Sequence, residues 1–188
     1  MSIICAAIKN KEIAISSDTQ SNFGPLNISS KHIKNASKLY QVNDSIIGAV
    51  GWLAISDMLE HLMKNDKELF KLNNRMNIFS SFQNMHTIMK ENYYIETKEE
   101  DDQPVESSQI DALIINKHGL FSVSSYREVN EFKTFWAIGS GQSIALGAMH
   151  TLYERHHSAK EIVEAGVAAA TEFDESCGMP LKTKIISL

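Results

Sequence analysis

The stretch Ser2-Ile3-Ile4-Cys5-Ala6-Ala7-Ile8-Lys9-Asn10-Lys11-Glu12-Ile13-Ala14-Ile15-Ser16-Ser17-Asp18 decides the fold. Two apolar runs, Ile3 to Ile8 and Ile13 to Ile15, flank the polar quartet Lys9 to Glu12. That pattern predicts a β-hairpin closed by a short turn. A strand with one wet face alternates apolar and polar residues, and these runs do not alternate. Both faces of the hairpin are therefore expected to be covered. The first run is also far shorter than the roughly 20 residues that cross a bilayer, and no basic segment with a long apolar stretch and a cleavage site precedes it.

Working outward, Lys38 to Val42 and Ser45 to Gly51 read as a second hairpin around Asn43-Asp44. Ile55, Met58, Leu59, Leu62 and Met63 then recur at helical steps, and Ile78, Phe79, Phe82, Met85, Ile88 and Met89 repeat the pattern. From Glu96 to Gln109 the text turns acidic and polar, which predicts an exposed loop. Strands are expected at Ile110 to Ile115, Gly119 to Ser124 and Phe132 to Ile138. Gly139-Ser140-Gly141 breaks the chain before a helix carrying Ile144, Leu146, Met149 and Leu152. Ser158 with Glu161 makes a capping box for another helix, and Lys182 to Leu188 is a closing strand. Strands this apolar need helices over them.

The chain has 188 residues, a length for which one domain spanning 1–188 is the expectation. Its net charge of −5 and the absence of a basic stripe disfavour nucleic acid as a partner. Cys5 and Cys177 form no CxxC pair and read as buried, reduced thiols. No GxSxG, HExxH or GxxxxGK[ST] motif occurs, and Ile144 stands where a dinucleotide fingerprint would need its third glycine. The acidic run Glu99 to Asp102 and the group His150, Glu154, His156 and His157 read as solvated surface, so no metal and no cofactor is expected.

The opening hairpin resembles that of proteasome β-subunits and of the bacterial proteasome-like peptidase that works with a ring ATPase. The likeness continues through Ala36-Ser37-Lys38-Leu39-Tyr40-Gln41-Val42-Asn43, Ile46-Ile47-Gly48-Ala49-Val50-Gly51, Ile138-Gly139-Ser140-Gly141 and Asp174-Glu175-Ser176-Cys177-Gly178. The resemblance implies an N-terminal nucleophile hydrolase with an α+β fold, the four-layer αββα sandwich. It implies that Ser2, bared by removal of Met1, attacks peptide bonds, because an α-amine titrating near about 8 can serve as base for its own hydroxyl. By the same resemblance Lys38 supplies a positive charge beside that hydroxyl and Asp18 orients the lysine. The backbone N–H of Gly48 meets the oxyanion, against the alternative that this glycine relieves packing between sheets. Ser140 and Asp174 would buttress the amine and its water.

The segment between Asp18 and Lys38 is longer than the family's, so Lys34 stands in reserve and Lys31 behind it. Asn22 lies near the substrate-pairing position, and Phe23 and Trp52 are candidates for apolar contacts. Cys177 stands where the family often has serine. The family usually begins with threonine, and serine lacks the methyl that fixes the rotamer, so slower hydrolysis is expected. A homo-oligomeric ring in the cytoplasm is implied, acting on peptides or unfolded protein, with a ring ATPase unfoldase as a partner and no membrane. Two alternatives stay open: a small-amide hydrolase with the same nucleophile, and a catalytically silent ring or scaffold protein.

Overall fold

The computed structural model describes residues 2–155 and 157–188. The chain runs β1 (Ile3–Lys9), β2 (Glu12–Ser17), β3 (Ser21–Phe23), β4 (Leu26–Ile28), β5 (Leu39–Val42), β6 (Ser45–Gly51), α1 (Leu53–Asn65) and α2 (Arg75–Tyr93). It continues through β7 (Ile110–Asn116), β8 (Gly119–Val123), β9 (Val129–Phe132), β10 (Phe135–Gly139), α3 (Gln142–Tyr153), α4 (Ala159–Phe173) and β11 (Lys182–Ser187). β1 and β2 pair antiparallel from Ile4 opposite Ser17 to Lys9 opposite Glu12. Asn10 and Lys11, at φ 53° and 62°, form the two-residue turn between them, whose left-handed pair of residues matches the twist of the strands.

Two large sheets result, in the strand orders β10-β1-β2-β11 and β5-β6-β7-β8-β9, with β3-β4 as a small third. The unbroken apolar run of β1 is explained by its period of two between two covered faces. Ile3, Cys5 and Ala7 point to one side and pack with Met149, Ile162, Val163 and Val167 of α3 and α4. Ile4 and Ala6 point to the other and meet Ile13, Ile15, Leu39, Leu113 and Ile115 between the sheets. On the far side of the second sheet, Ile47, Ala49, Ile114 and Phe121 pack beneath Leu59, Ile78, Phe82 and Met85 of α1 and α2. Three apolar seams thus bind four layers in the order αββα, each fully buried isoleucine contributing about 1.5–3 kcal/mol. Among the described residues no helix is long and apolar enough to cross a membrane.

The Ser158 capping box forms, its hydroxyl accepting from the Glu161 N–H at 3.2 Å while the Glu161 carboxylate accepts from the Ser158 N–H at 2.8 Å. Three details differ from the sequence expectation. The segment Phe132 to Ile138 is two strands, not one. Phe132 ends β9 opposite Leu120, and Phe135 begins β10 opposite Ala7, so the chain passes from one sheet to the other across Lys133 and Thr134. The polar segment after Asp18 holds the small hairpin β3–β4, with Ser21 opposite Ile28. The acidic loop of residues 94–109 is tethered at its end, because Ser108 Oγ lies 3.0 Å from both His86 Nδ1 and Arg127 Nη1 and Glu106 lies 3.1 Å from His86 Nε2.

Gly48 sits mid-strand between the sheets, where an added Cβ would meet Ile4 Cγ2 at 2.8 Å and Ile15 Cδ1 and Leu39 Cδ2 at 3.0 Å. Gly48→Ala is therefore expected to destabilise the fold by about 1–3 kcal/mol in urea unfolding. Ile15→Val removes the Cδ1 methyl in the way, so it should cost less in the Gly48→Ala background than alone, which a double-mutant cycle measures.

Candidate active site

The ends of five strands converge at one edge of the sandwich. Ser2 directly precedes β1, Asp18 directly follows β2, Lys38 directly precedes β5, Gly51 ends β6 and Ser140 directly follows β10. Ser2, 7% exposed, lines two adjoining cavities together with Lys38 and Gly51. The larger is a groove of about 880 Å³ whose walls include Asn22, Phe23, Trp52 and Ser140. Phe23 and Trp52 stay 54% and 72% exposed there, too open for core residues.

Asp18 is fully buried and held from four directions. Its Oδ1 accepts from the Ile3 N–H at 3.1 Å and from Lys38 Nζ at 2.6 Å. Its Oδ2 accepts from the Gln20 N–H at 3.2 Å and the Gly178 N–H at 3.1 Å. A carboxylate so rich in backbone donors is a fixed anion, and Lys38, with 12% of its side chain exposed, is fixed by it. Burial pushes the Lys38 ammonium below the ordinary lysine pKa, while the charge and hydrogen bond of Asp18 pull the other way. Lys31 and Lys34 are exposed on the segment before it, and of the three lysines Lys38 is the one that meets Asp18.

A second chain of contacts backs Ser2. Ser140 Oγ donates to the Ser2 carbonyl at 3.4 Å and lies 3.8 Å from Cys177 Sγ. The Cys177 thiol donates to Asp174 Oδ2 at 3.4 Å, and the Ser176 N–H donates to Asp174 Oδ1 at 2.9 Å. Burial, then the charge of Asp18, pushes the thiol up to about 12, so Cys177 is a neutral donor in the place where serine would be. Burial alone would raise the Asp174 carboxyl, but hydrogen bonds from Ser140, the Ser176 N–H and Cys177 outweigh it and hold Asp174 below its usual range.

Gly48 lies in the seam between the sheets and, like Asp18 and Asp174, lines neither cavity. Backbone N–H groups alternate in direction along a strand. The Ala49 N–H donates to the Lys38 carbonyl on the β5 side at 3.1 Å. Gly48, one residue away, therefore turns its N–H toward β7, whereas Gly51, two residues on, turns its N–H to the β5 side beyond the start of that strand, where Ser2 lies. Gly51, which the sequence reading did not name as a site residue, lines both cavities with Ser2. Its φ of 154° and the 2.6 Å from a hypothetical Cβ to the Gln109 carbonyl were the signal that only the fold supplies.

Gly139 faces Ile3 across the β1–β10 pair at φ 108°, and a Cβ there would overlap the Ser2 carbonyl. Gly139→Ala is expected to lose at least about 2 kcal/mol in thermal denaturation, from strain at that φ and from the overlap. Among the described residues no three of His, Cys, Asp or Glu stand together as a metal site. His157 lies 3.9 Å from Glu161, and His156 falls outside the described residues.

The family model described as proteasome subunit matches residues 2–183. Among solved structures the chain is similar to Thiobacillus denitrificans BPH, at 32% identity and a TM-score of 0.93 over 99% of this chain and 98% of that one. The same protein in complex with epoxomicin matches at 31% identity and a TM-score of 0.90 over the same shares, 99% and 98%. Eukaryotic HslV from Trypanosoma brucei, at 17% identity and a TM-score of 0.76 over 99% of each chain, shares the fold. No curated protein matches. The chain, with the sandwich fold of the N-terminal nucleophile hydrolases, belongs to the proteasome subunit family.

Proposed function

We propose that the chain is a peptidase in which Ser2, once Met1 is removed, is the nucleophile. The observation that carries this reading is the buried Lys38–Asp18 ion pair at the mouth of the groove that Ser2 lines. The freed α-amine takes the Oγ proton, directly or through a water, as Oγ bonds to the scissile carbonyl carbon. The Lys38 ammonium lowers the energy of the developing alkoxide and disfavours a second positive charge on the amine. The Gly51 N–H meets the tetrahedral oxyanion. Collapse breaks the C–N bond and the leaving amine takes the proton. Water then cleaves the Ser2 ester, passing one proton through the amine back to Oγ. Ser140 and Asp174 hold the Ser2 backbone and the surrounding water in place.

The same reading makes the chain one subunit of a homo-oligomeric ring in the cytoplasm, acting on peptides or unfolded protein delivered by a ring ATPase. Leu26, Tyr94, Phe173 and Met179 are exposed apolar residues that neighbouring subunits would cover. Sedimentation finding only monomers would overturn the ring. Epoxomicin, held by the Thiobacillus relative, is the probe for the nucleophile. Intact-mass measurement is expected to find the chain starting at Ser2 and carrying the adduct there. A chain that keeps Met1 and takes no adduct would leave a silent scaffold.

A further inference from the structure

Beside the large groove lies a narrow cavity of about 40 Å³. Ser2, Lys38 and Gly51 line it as they line the groove, and Asp57 and Glu60 of α1 also line it. Asp57 and Glu60 are three apart on the helix, so both carboxylates share the face turned to the cavity. Tyr40 and Ser56 also line it, as polar groups without charge.

The charges near this cavity do not cancel. Lys38 is committed to Asp18 at 2.6 Å. One oxygen of Glu60 meets Lys64 at 2.6 Å, but Lys64 is 70% exposed and its charge is screened by water. Asp57 is itself exposed, and among the described residues no cation pairs with it. The Tyr40 phenol reports the same field: burial first, then Glu60 and Asp57, push it up to about 12 against a hydrogen bond from Ser56.

The residue before a scissile bond carries the attacked carbonyl, so its side chain lies nearest Ser2 and Gly51, both of which line this cavity. Resting on the peptidase reading above, we infer that the cavity takes the lysine or arginine side chain of that residue, and that the enzyme cuts after basic residues. The substrate cation supplies the partner that Asp57 lacks.

The test uses the mature assembled protein and fluorogenic acyl-peptides that differ only in having Lys, Leu or Glu before the leaving group. The Lys peptide is expected to exceed the others at least about tenfold in kcat/KM, the worth of one charge-assisted contact. Asp57→Asn combined with Glu60→Gln should shrink the Lys-to-Leu ratio by a similar factor, and Asp57→Asn alone serves if the pair fails to fold. Epoxomicin labelling of Ser2 is read in parallel. With the adduct formed, absence of a Lys preference, or a ratio unmoved by the variants, overturns the basic specificity alone. With no adduct and no peptide cut, the peptidase reading fails and this inference with it.

Discussion

Ser2→Ala, in protein freed of Met1, is expected to lower peptide hydrolysis by at least about 10⁴-fold, because the bond-forming atom is gone and what remains is binding and oxyanion stabilisation. The change removes one atom from a residue that is already small, so circular dichroism and the melting temperature should stay close to those of the parent. Ser2→Thr keeps the hydroxyl and adds the methyl that restricts χ1, so it should retain hydrolysis. A Ser2→Ala protein that still cut peptides at the parental rate would exclude Ser2 as nucleophile, whatever its place at the groove.

Lys38→Ala is expected to act on stability and on catalysis together. Asp18 would keep three backbone donors but lose the ammonium at 2.6 Å, leaving a fully buried carboxylate short of its counter-charge. Breaking one side of such a pair costs about 3–5 kcal/mol, to be read from urea midpoints. The double change of Lys38→Met with Asp18→Asn removes both charges and should recover most of that stability. It should not recover hydrolysis, since neither the alkoxide nor the amine then has its cationic neighbour. Recovery of both properties would make the pair a structural device only.

That β1 is covered on both faces was legible because such a strand must write itself as an unbroken apolar run, as Ile3 to Ala7 does, while the four-layer order came from the resemblance. The helices were legible for the complementary reason, an inward stripe at helical spacing. What escaped were choices that depend on the third dimension. From Phe132 to Ile138 most residues are strand formers and no Gly or Pro punctuates them, so nothing local marks Lys133 and Thr134 as the step between sheets. The β3–β4 hairpin carries exposed Phe23 and Leu26 and lacks the buried alternation by which strands are recognised. Gly48 and Gly51 are both glycines of one strand, and which of them turns an N–H to Ser2 depends on a parity that the ladder partner fixes and the residue type does not. Asp18 and Lys38 were legible as a pair only through the resemblance to proteasome-type hairpins, and the fold brings them to 2.6 Å.

Ser2 leads into a strand flanked on both sides, with Gly139 opposite Ile3 in β10 and Ser17 opposite Ile4 in β2. Chain ends commonly fray, yet from Ile3 onward this segment is paired on both sides, and its amides are expected to exchange with solvent only when the whole molecule opens. Deuterium should therefore enter Ile3 to Ala7 among the last. Once Met1 is gone, a trimming enzyme that works inward from Ser2 would have to pull β1 out of the sheet, so a bared Ser2 is expected to last as long as the fold does.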